Sequence, residues 1–313
     1  MELLHEMKQY LKKYQLVRYI HIAYLKYVKN MGINRKKLDA DISGRRWKGL
    51  NTTEQRTQKI VVSFTSFPER INDVKYTIYS LFNQKCPPDI IVLWLAKEQF
   101  PNRQADLPAE LAIFEEVGLR IEWYHDCRSY KKIIPSLQKY PNDIIVTVDD
   151  DIYYAPECIE NLYKCHMRYP LDIVANRVRY IEMNNFGEML PYETWNFAKT
   201  DTVSYRNFFT GAGGVLYPPN SLHKDVLRED VFTKIAPSAD DIWLWGMSVL
   251  NGREIRVPKE GTEKLKYVSL ESELLGKNTL ASFNVRGGRN DVQLNELMRC
   301  YPEIIKKIRE NRV

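Results

Sequence analysis

Three consecutive aspartates, Asp149-Asp150-Asp151, follow directly on the apolar run Ile144-Ile145-Val146-Thr147-Val148. Adjacent carboxylates at the end of a buried strand repel one another, and a folded chain keeps them there only with a countercharge. A hard divalent cation, Mn2+ or Mg2+, would supply it, since such an ion takes one or two carboxylates and completes its shell with phosphate oxygens. It would act as a Lewis acid that holds a diphosphate and stabilises charge as the diphosphate leaves. The plainer reading is a solvated acidic turn. The apolar run argues against that, because it delivers the triplet straight from the core. A second acidic pair, Asp240-Asp241, precedes Ile242-Trp243-Leu244 and opens a helix predicted over 241–250. One carboxylate there can take the proton of an attacking hydroxyl, although acids also stabilise helix starts as such. With Asp240 as the N-cap, Asp241 is the expected base and Asp240 its substitute.

Further candidates lie near these two. Arg70 and Lys132 are suited to donor phosphates or to the charge of a leaving group. Gly211, Gly213 and Gly214 allow the backbone to approach a ligand or to take a positive φ, and a tight turn before the next strand fits them equally well. They lack the spacing of a dinucleotide fingerprint, so no dinucleotide site is read. Trp195, Trp243 and Trp245 have faces on which a sugar could stack, though large aromatics are equally core material.

The elements that must position these residues are legible from Lys59 onward. Short β-branched runs at 60–64, 90–95, 119–123 and 144–148 read as buried strands. Helical patterns separate them: Val74, Ile78, Leu81 and Phe82; residues 107–117 with Leu111 and Phe114 inward; and residues 131–139. Strand–helix alternation of this kind predicts an α/β fold, a mainly parallel Rossmann-like sheet with helices on both faces. Ligands of such sheets bind beyond the carboxyl ends of the strands, where the triplet and the Thr65-Ser66 turn both fall. After Pro170 the pattern loosens around short strands at 173–175 and 215–217. The expected organisation is a basic helical extension and linker over 1–57 and one domain over 58–313. Residues 58–152 form its nucleotide-binding half and 153–313 its acceptor-binding and catalytic half.

These segments, taken in order, resemble the GT-A nucleotide-sugar glycosyltransferases. Ile144 to Tyr154 resembles the strand that carries the aspartate motif of that family, and Val62 to Arg70 its first strand and loop. Ser129 to Pro135, Thr210 to Tyr217 and Ala239 to Leu244 resemble the segment before the aspartates, the donor-sugar loop and the acidic catalytic segment. The resemblance implies a GT-A fold and metal-dependent transfer of a sugar from a nucleotide diphosphate to a glycan or lipid-linked glycan, as in bacterial surface-polysaccharide synthesis. It places Thr65, Ser66, Phe67 and Arg70 at the nucleotide, and Lys132, Gly213 and Gly214 at the nucleotide or sugar. Asp149 falls at the ribose or metal, Asp150 at the nucleotide-sugar, and Asp151 at the metal. Trp195 and Trp243 are the acceptor candidates. Members of the family often add a late histidine as metal ligand. This chain has no histidine after His223, so Asp291, or Asn290, is the expected substitute. A base at Asp241 favours inversion, although retaining members of the family also carry acids in this region.

Other classes fare worse. A sugar-phosphate nucleotidyltransferase would carry a glycine-rich basic loop after its first strand, and Ser66-Phe67-Pro68-Glu69 has no glycine. A glycan-binding scaffold would have no use for the acidic residues. The net charge of +6 permits an anionic partner, but the basic residues gather in the N-terminal stretch and no nucleic-acid motif is present. Within that stretch, Leu3, Leu4, Met7, Leu11 and Tyr14 recur at helical spacing. A basic helix over 1–38 suits peripheral contact with the inner face of a membrane, or packing on the domain or a second subunit. No apolar run is long enough to span a bilayer and no leader pattern is read, so a cytoplasmic enzyme is expected. The five scattered cysteines lack zinc spacing and are expected as free thiols.

Overall fold

The computed structural model describes residues 17–261, 264–271 and 288–310. The helical spacing read at Leu3 to Tyr14 lies outside the described residues. Residues 17–23 are helical and pass into a single π turn, Tyr24–Val28. Val17, Tyr19, Ile20, Tyr24 and Tyr27 are exposed on it. Helix α1, Arg35–Ser43, follows and is capped by Asn34, whose side chain accepts from Lys37 N.

The domain begins with β1, Ile60–Thr65, followed by α2, Val74–Phe82, and β2, Ile90–Ala96. Helix α3, Glu110–Glu115, is shorter than its predicted span, since Leu107 is extended and Pro108 follows it. Then come β3, Leu119–Tyr124, a 3-10 turn at Arg128–Lys132, α4, Ile134–Lys139, and β4, Ile144–Thr147. The second half continues with α5, Cys158–Arg168, β5, Ile173–Ala175, β6, Val178–Tyr180, β7, Thr202–Ser204, and β8, Asn207–Phe209. It closes with β9, Val215–Tyr217, α6, Glu229–Ile235, α7, Asp240–Leu250, β10, Ile255–Val257, α8, Arg289–Cys300, and α9, Pro302–Glu310.

Eight strands form one sheet in the order β3-β2-β1-β4-β9-β5-β10-β7. The first four are parallel, and β9 runs antiparallel between β4 and β5. The runs at β1, β2 and β4 are mostly apolar and buried at every position but Thr65, because both of their faces are covered. Helix α2 is buried nearly all round, eight of its nine residues being buried rather than the single face its spacing suggested. Helices α8 and α9 close on α7 at Gly246, where an added Cβ would lie 2.6 Å from a Leu297 methyl.

The polar stretch 39–57, expected to be a linker, is packed against the domain. Its first residues belong to α1, where Ile42 is buried, and the Trp47 ring centroid lies 5.2 Å from that of Phe114. The Arg56 side chain, only 3% exposed, joins Asp89 at 2.9 Å and Glu54 at 2.7 Å. Polarity misled here because the domain itself supplies partners for these polar groups.

Candidate functional site

Strands β1 and β4 are neighbours in register, Ser63 opposite Thr147, so residues 65–70 meet the aspartate triplet beyond their carboxyl ends. The three aspartates have different surroundings. Asp150 is buried, accepting from Ser66 Oγ at 2.6 Å and Arg70 Nη1 at 2.9 Å. Thr77 Oγ1 sits 2.8 Å from its carbonyl. Burial raises the Asp150 carboxyl above the ordinary range, and Arg70 opposes that rise. The same Arg70 nitrogen lies 2.7 Å from Asp151 Oδ2. Burial works to lower Arg70, and the charges of Asp151 and Asp150 outweigh it, so the guanidinium stays charged. Phe67 offers its ring to Arg70 at 5.3 Å, and Thr65 Oγ1 donates to Trp94 O.

Asp149 turns the other way, to Lys132. The Lys132 ammonium is buried, 3.0 Å from Asp149 Oδ1 and 2.9 Å from Asp240 Oδ2. Its backbone is fixed by Ser63, whose hydroxyl donates to Lys132 O at 2.6 Å. The adjoining Tyr130 stacks on Phe232 at 4.0 Å and donates to Ala236 O, which anchors the turn beside α7. Burial would discharge Lys132, but the charges of Asp149, Asp240 and Asp241 outweigh it and raise the pKa well above the ordinary value. Asp241 accepts from Gly211 N–H at 3.0 Å. Burial first, and then the charge of Asp240, push the Asp241 carboxyl up to about 7.

Helix α7 starts at Asp240, one residue earlier than predicted, with Ala239 at the cap position and no side-chain cap. Asp240 is therefore not the N-cap. As the first helical residue it can turn its carboxylate to Lys132, and both acids still gain from the helix N-terminus.

Gly211 is the glycine that faces the site. A Cβ there would lie 2.8 Å from Lys132 Nζ, 3.1 Å from Asp241 Oδ1 and 3.4 Å from Asp149 Oδ1. Gly213 and Gly214, the glycines expected at the donor, face inward instead. A Cβ on Gly213 would meet that of Arg177 at 2.4 Å, and Gly214, at φ 84°, backs onto Cys158. Spacing could not separate ligand contact from tight internal packing. Tyr154, which drew no attention in the sequence, ties the loop to the triplet: its hydroxyl accepts from Asp149 N at 2.8 Å and donates to Ala212 O at 3.1 Å.

Two aromatic candidates are corrected. Trp195 is 2% exposed and Trp243 is 0% exposed, so neither presents a face to a sugar. Their indole N–H groups donate to Leu190 O and Val226 O within the core, the usual arrangement for a buried Trp. Asp291 is also not brought to the triplet. It accepts from Tyr192 N at 2.7 Å, and among the described residues no three His, Cys, Asp or Glu side chains converge as a metal-holding group. Asp149 and Asp151, both partly exposed, still suit a hard ion completed by phosphate oxygens and water, although Lys132 and Arg70 already pair with them. Part of the countercharge the triplet needs comes from the chain itself, and Lys132 divides its charge with Asp240.

All five cysteines are free, and burial raises the thiols of Cys127 and Cys158 to about 12, leaving them unreactive. Among the described residues no helix is long and apolar enough to cross a membrane.

No protein-family model matches the chain, and no curated protein is similar to it. Among solved structures the chain is similar to 4-diphosphocytidyl-2C-methyl-D-erythritol synthase, with 10% identity and a TM-score of 0.43, covering 70% of this chain and 97% of that one. It is also similar to CMP:2-keto-3-deoxy-manno-octonic acid synthetase complexed with CTP, with 12% identity and a TM-score of 0.37, covering 64% of this chain and 89% of that one. The fold class, a mostly parallel α/β sheet of Rossmann type, rests on the strand order itself.

Proposed function

We propose that this protein is a transferase that takes a nucleotide-diphosphate sugar as donor and moves the sugar to a hydroxyl of a glycan or lipid-linked glycan. What carries the reading is one arrangement: Lys132 joins Asp149, at the end of β4, to Asp240, at the start of α7, so that Asp241 faces the triplet across Gly211. Donor-binding and proton-accepting groups are thereby gathered around one glycine.

In this reading the donor diphosphate lies by Asp149, Asp151 and Arg70, and the acceptor hydroxyl meets Asp241. The hydroxyl proton passes to the Asp241 carboxylate as the hydroxyl oxygen bonds to the anomeric carbon. The bond from that carbon to the diphosphate breaks, its electron pair stays on the departing phosphate oxygen, and the configuration inverts. Arg70 and Lys132 lie where charge develops on the leaving group. A divalent ion, when bound by Asp149 and Asp151, would add Lewis-acid stabilisation of the same charge. A base near pH 7 is matched to proton transfer at neutral pH.

The test is the melting temperature with Mn2+ and each of UDP, GDP, dTDP and CMP. A ligand at about 100 times its dissociation constant adds roughly 2.7 kcal/mol. A metal-dependent shift with one diphosphate, lost in Asp151→Ala, supports the reading. An unchanged shift in Asp151→Ala sinks the metal assignment. Pyrophosphate release from CTP with a sugar phosphate would make the protein a nucleotidyltransferase instead. No shift with any nucleotide would leave a scaffold of the same fold.

A further inference from the structure

We infer that residues 17–29 form a docking surface for an anionic lipid bilayer. Between residues 17 and 27 only Ile22 is buried. Packing on the domain, one of the roles open to a basic helix here, thus accounts for a single side chain. Val17, Ile20 and Tyr24 recur at i, i+3 and i+7, one stripe turned away from Ile22. Tyr19 and Tyr27 widen this surface, Tyr27 being 78% exposed. Among the described residues, five of the eleven exposed large apolar side chains lie on this one short stretch. Single exposed apolar residues need no explanation, whereas a cluster marks an interaction surface.

The charge on the same stretch selects what covers it. There is no Asp or Glu from Met7 to Leu38, while residues 17–37 hold Arg18, Lys26, Lys29, Arg35, Lys36 and Lys37. Arg35 pairs with Asp73 at 2.6 Å. Lys26 and Lys29 lie by the rings of Tyr27 and Tyr24, each 5.8 Å from the centroid. A tyrosine ring at the acyl–headgroup boundary, with an ammonium beside it that reaches the lipid phosphates, is the arrangement of an interfacial helix. A second copy of the chain fits worse. Two such stretches would meet as cation against cation, with no acid in either.

The docking stretch is also fastened to the acidic site. Tyr267 N donates to Met31 O at 2.7 Å, and Val268 N donates to Asp151 O at 2.8 Å. Gly32 and Ile152 both bridge to Tyr267, so Gly32 lies two strand spacings, about 10 Å, from the end of the triplet. A bilayer that takes up residues 17–29 is thereby coupled to the donor-binding aspartates. Resting on the transfer reading above, this favours a lipid-linked acceptor over a free glycan.

The experiment is co-sedimentation of the full chain, without nucleotide, with two kinds of vesicle: phosphatidylcholine alone, and phosphatidylcholine with phosphatidylglycerol in equal parts. We expect binding to the anionic vesicles, weak binding to the neutral ones, and release by raised salt. Lys26→Gln with Lys29→Gln should lower the partition coefficient about tenfold or more. Ile20→Ser with Tyr27→Ser should lower it by a similar factor, about tenfold, through lost apolar contact. Arg70→Gln, which alters the diphosphate side, should bind vesicles as the wild type does. No binding, equal binding to both vesicles, or binding indifferent to both pairs of substitutions overturns the surface. A dimer in sedimentation velocity that Ile20→Ser with Tyr27→Ser dissociates would give the face to a second copy and overturn it as well. Vesicle binding without any nucleotide-induced melting shift upholds the surface and removes only the acceptor it favours. A nucleotide shift without vesicle binding removes the surface and leaves the transferase reading intact.

Discussion

The two halves of the acidic site solve the same electrostatic problem differently. On the β1 side, one cation, Arg70, serves Asp150 and Asp151, and Ser66 adds a hydrogen bond. On the α7 side, one cation, Lys132, touches Asp149 and Asp240 and feels Asp241 as well. The first arrangement, one cation for two carboxylates, holds the triplet in place. The second carries the larger surplus of negative charge, and burial, joined by the charge of Asp240, raises Asp241 into the range where a carboxyl can exchange protons near neutrality. The cluster with fewer acids per cation builds structure, and the one with more is available for chemistry.

The largest expected effect tests the surplus directly. Asp241→Asn should lower turnover by about 10^2 to 10^4, the usual contribution of a general base, while the nucleotide-induced melting shift survives. The wild-type pH profile of kcat/KM should rise through about 7 as Asp241 loses its proton. A profile flat across that pH, or a fully active Asp241→Asn, would remove Asp241 as the base.

Lys132→Met comes next. Removing one partner of a buried ion pair costs about 3–5 kcal/mol, and here it leaves Asp149, Asp240 and Asp241 facing one another. Urea unfolding at pH 8 should show the loss, and at pH 5 it should shrink as Asp241 is protonated. A pH-independent loss would mean that Lys132 acts through packing alone.

Asp241 also has a stability signature. Its folded pKa, about 7, is above the ordinary value of 3.8. The stability it contributes is therefore full below about 3.8 and is lost as the pH rises through about 7. Asp241→Asn should accordingly melt higher than the wild type at pH 8, with the gap closing toward pH 5. Equal melting temperatures throughout would show that the carboxylate is relieved by solvent.

The smallest effects compare two members of the triplet. Asp150→Asn should destabilise the fold by about 1–3 kcal/mol, since the amide keeps one acceptor oxygen and leaves either Arg70 or Ser66 without its buried acceptor. Asp149→Asn, at a partly exposed residue, should change folding little and weaken the nucleotide shift. If the two variants behave alike in urea melts and nucleotide titration, the division between a structural and a binding aspartate fails.

Much of this was legible in the residues. The apolar β-branched runs read at 60–64, 90–95 and 144–148 are strands covered on both faces, over 60–65, 90–96 and 144–147, because exposing them to water is costly. The acidic triplet had to emerge at a strand end, and Lys132 and Asp241 were singled out from their segments. Trp195 and Trp243 were not resolved, because ring size is the same argument for a core and for a sugar platform. The packing of 39–57 was hidden because Asn51 and Arg56 are satisfied by Asp89, 33 or more residues away in sequence.

What the sequence alone determined is therefore local: strand, helix and turn periods, and which residue types could carry charge or move a proton. The tertiary structure decided which charges meet. Arg70 and Lys132 are 62 positions apart, yet they divide one triplet between them. Gly211 rather than Gly213 reaches the acids. The reason is physical. Periodicity is set by backbone geometry within a few residues, whereas electrostatic coupling depends on distances that only the packed sheet and its loops fix.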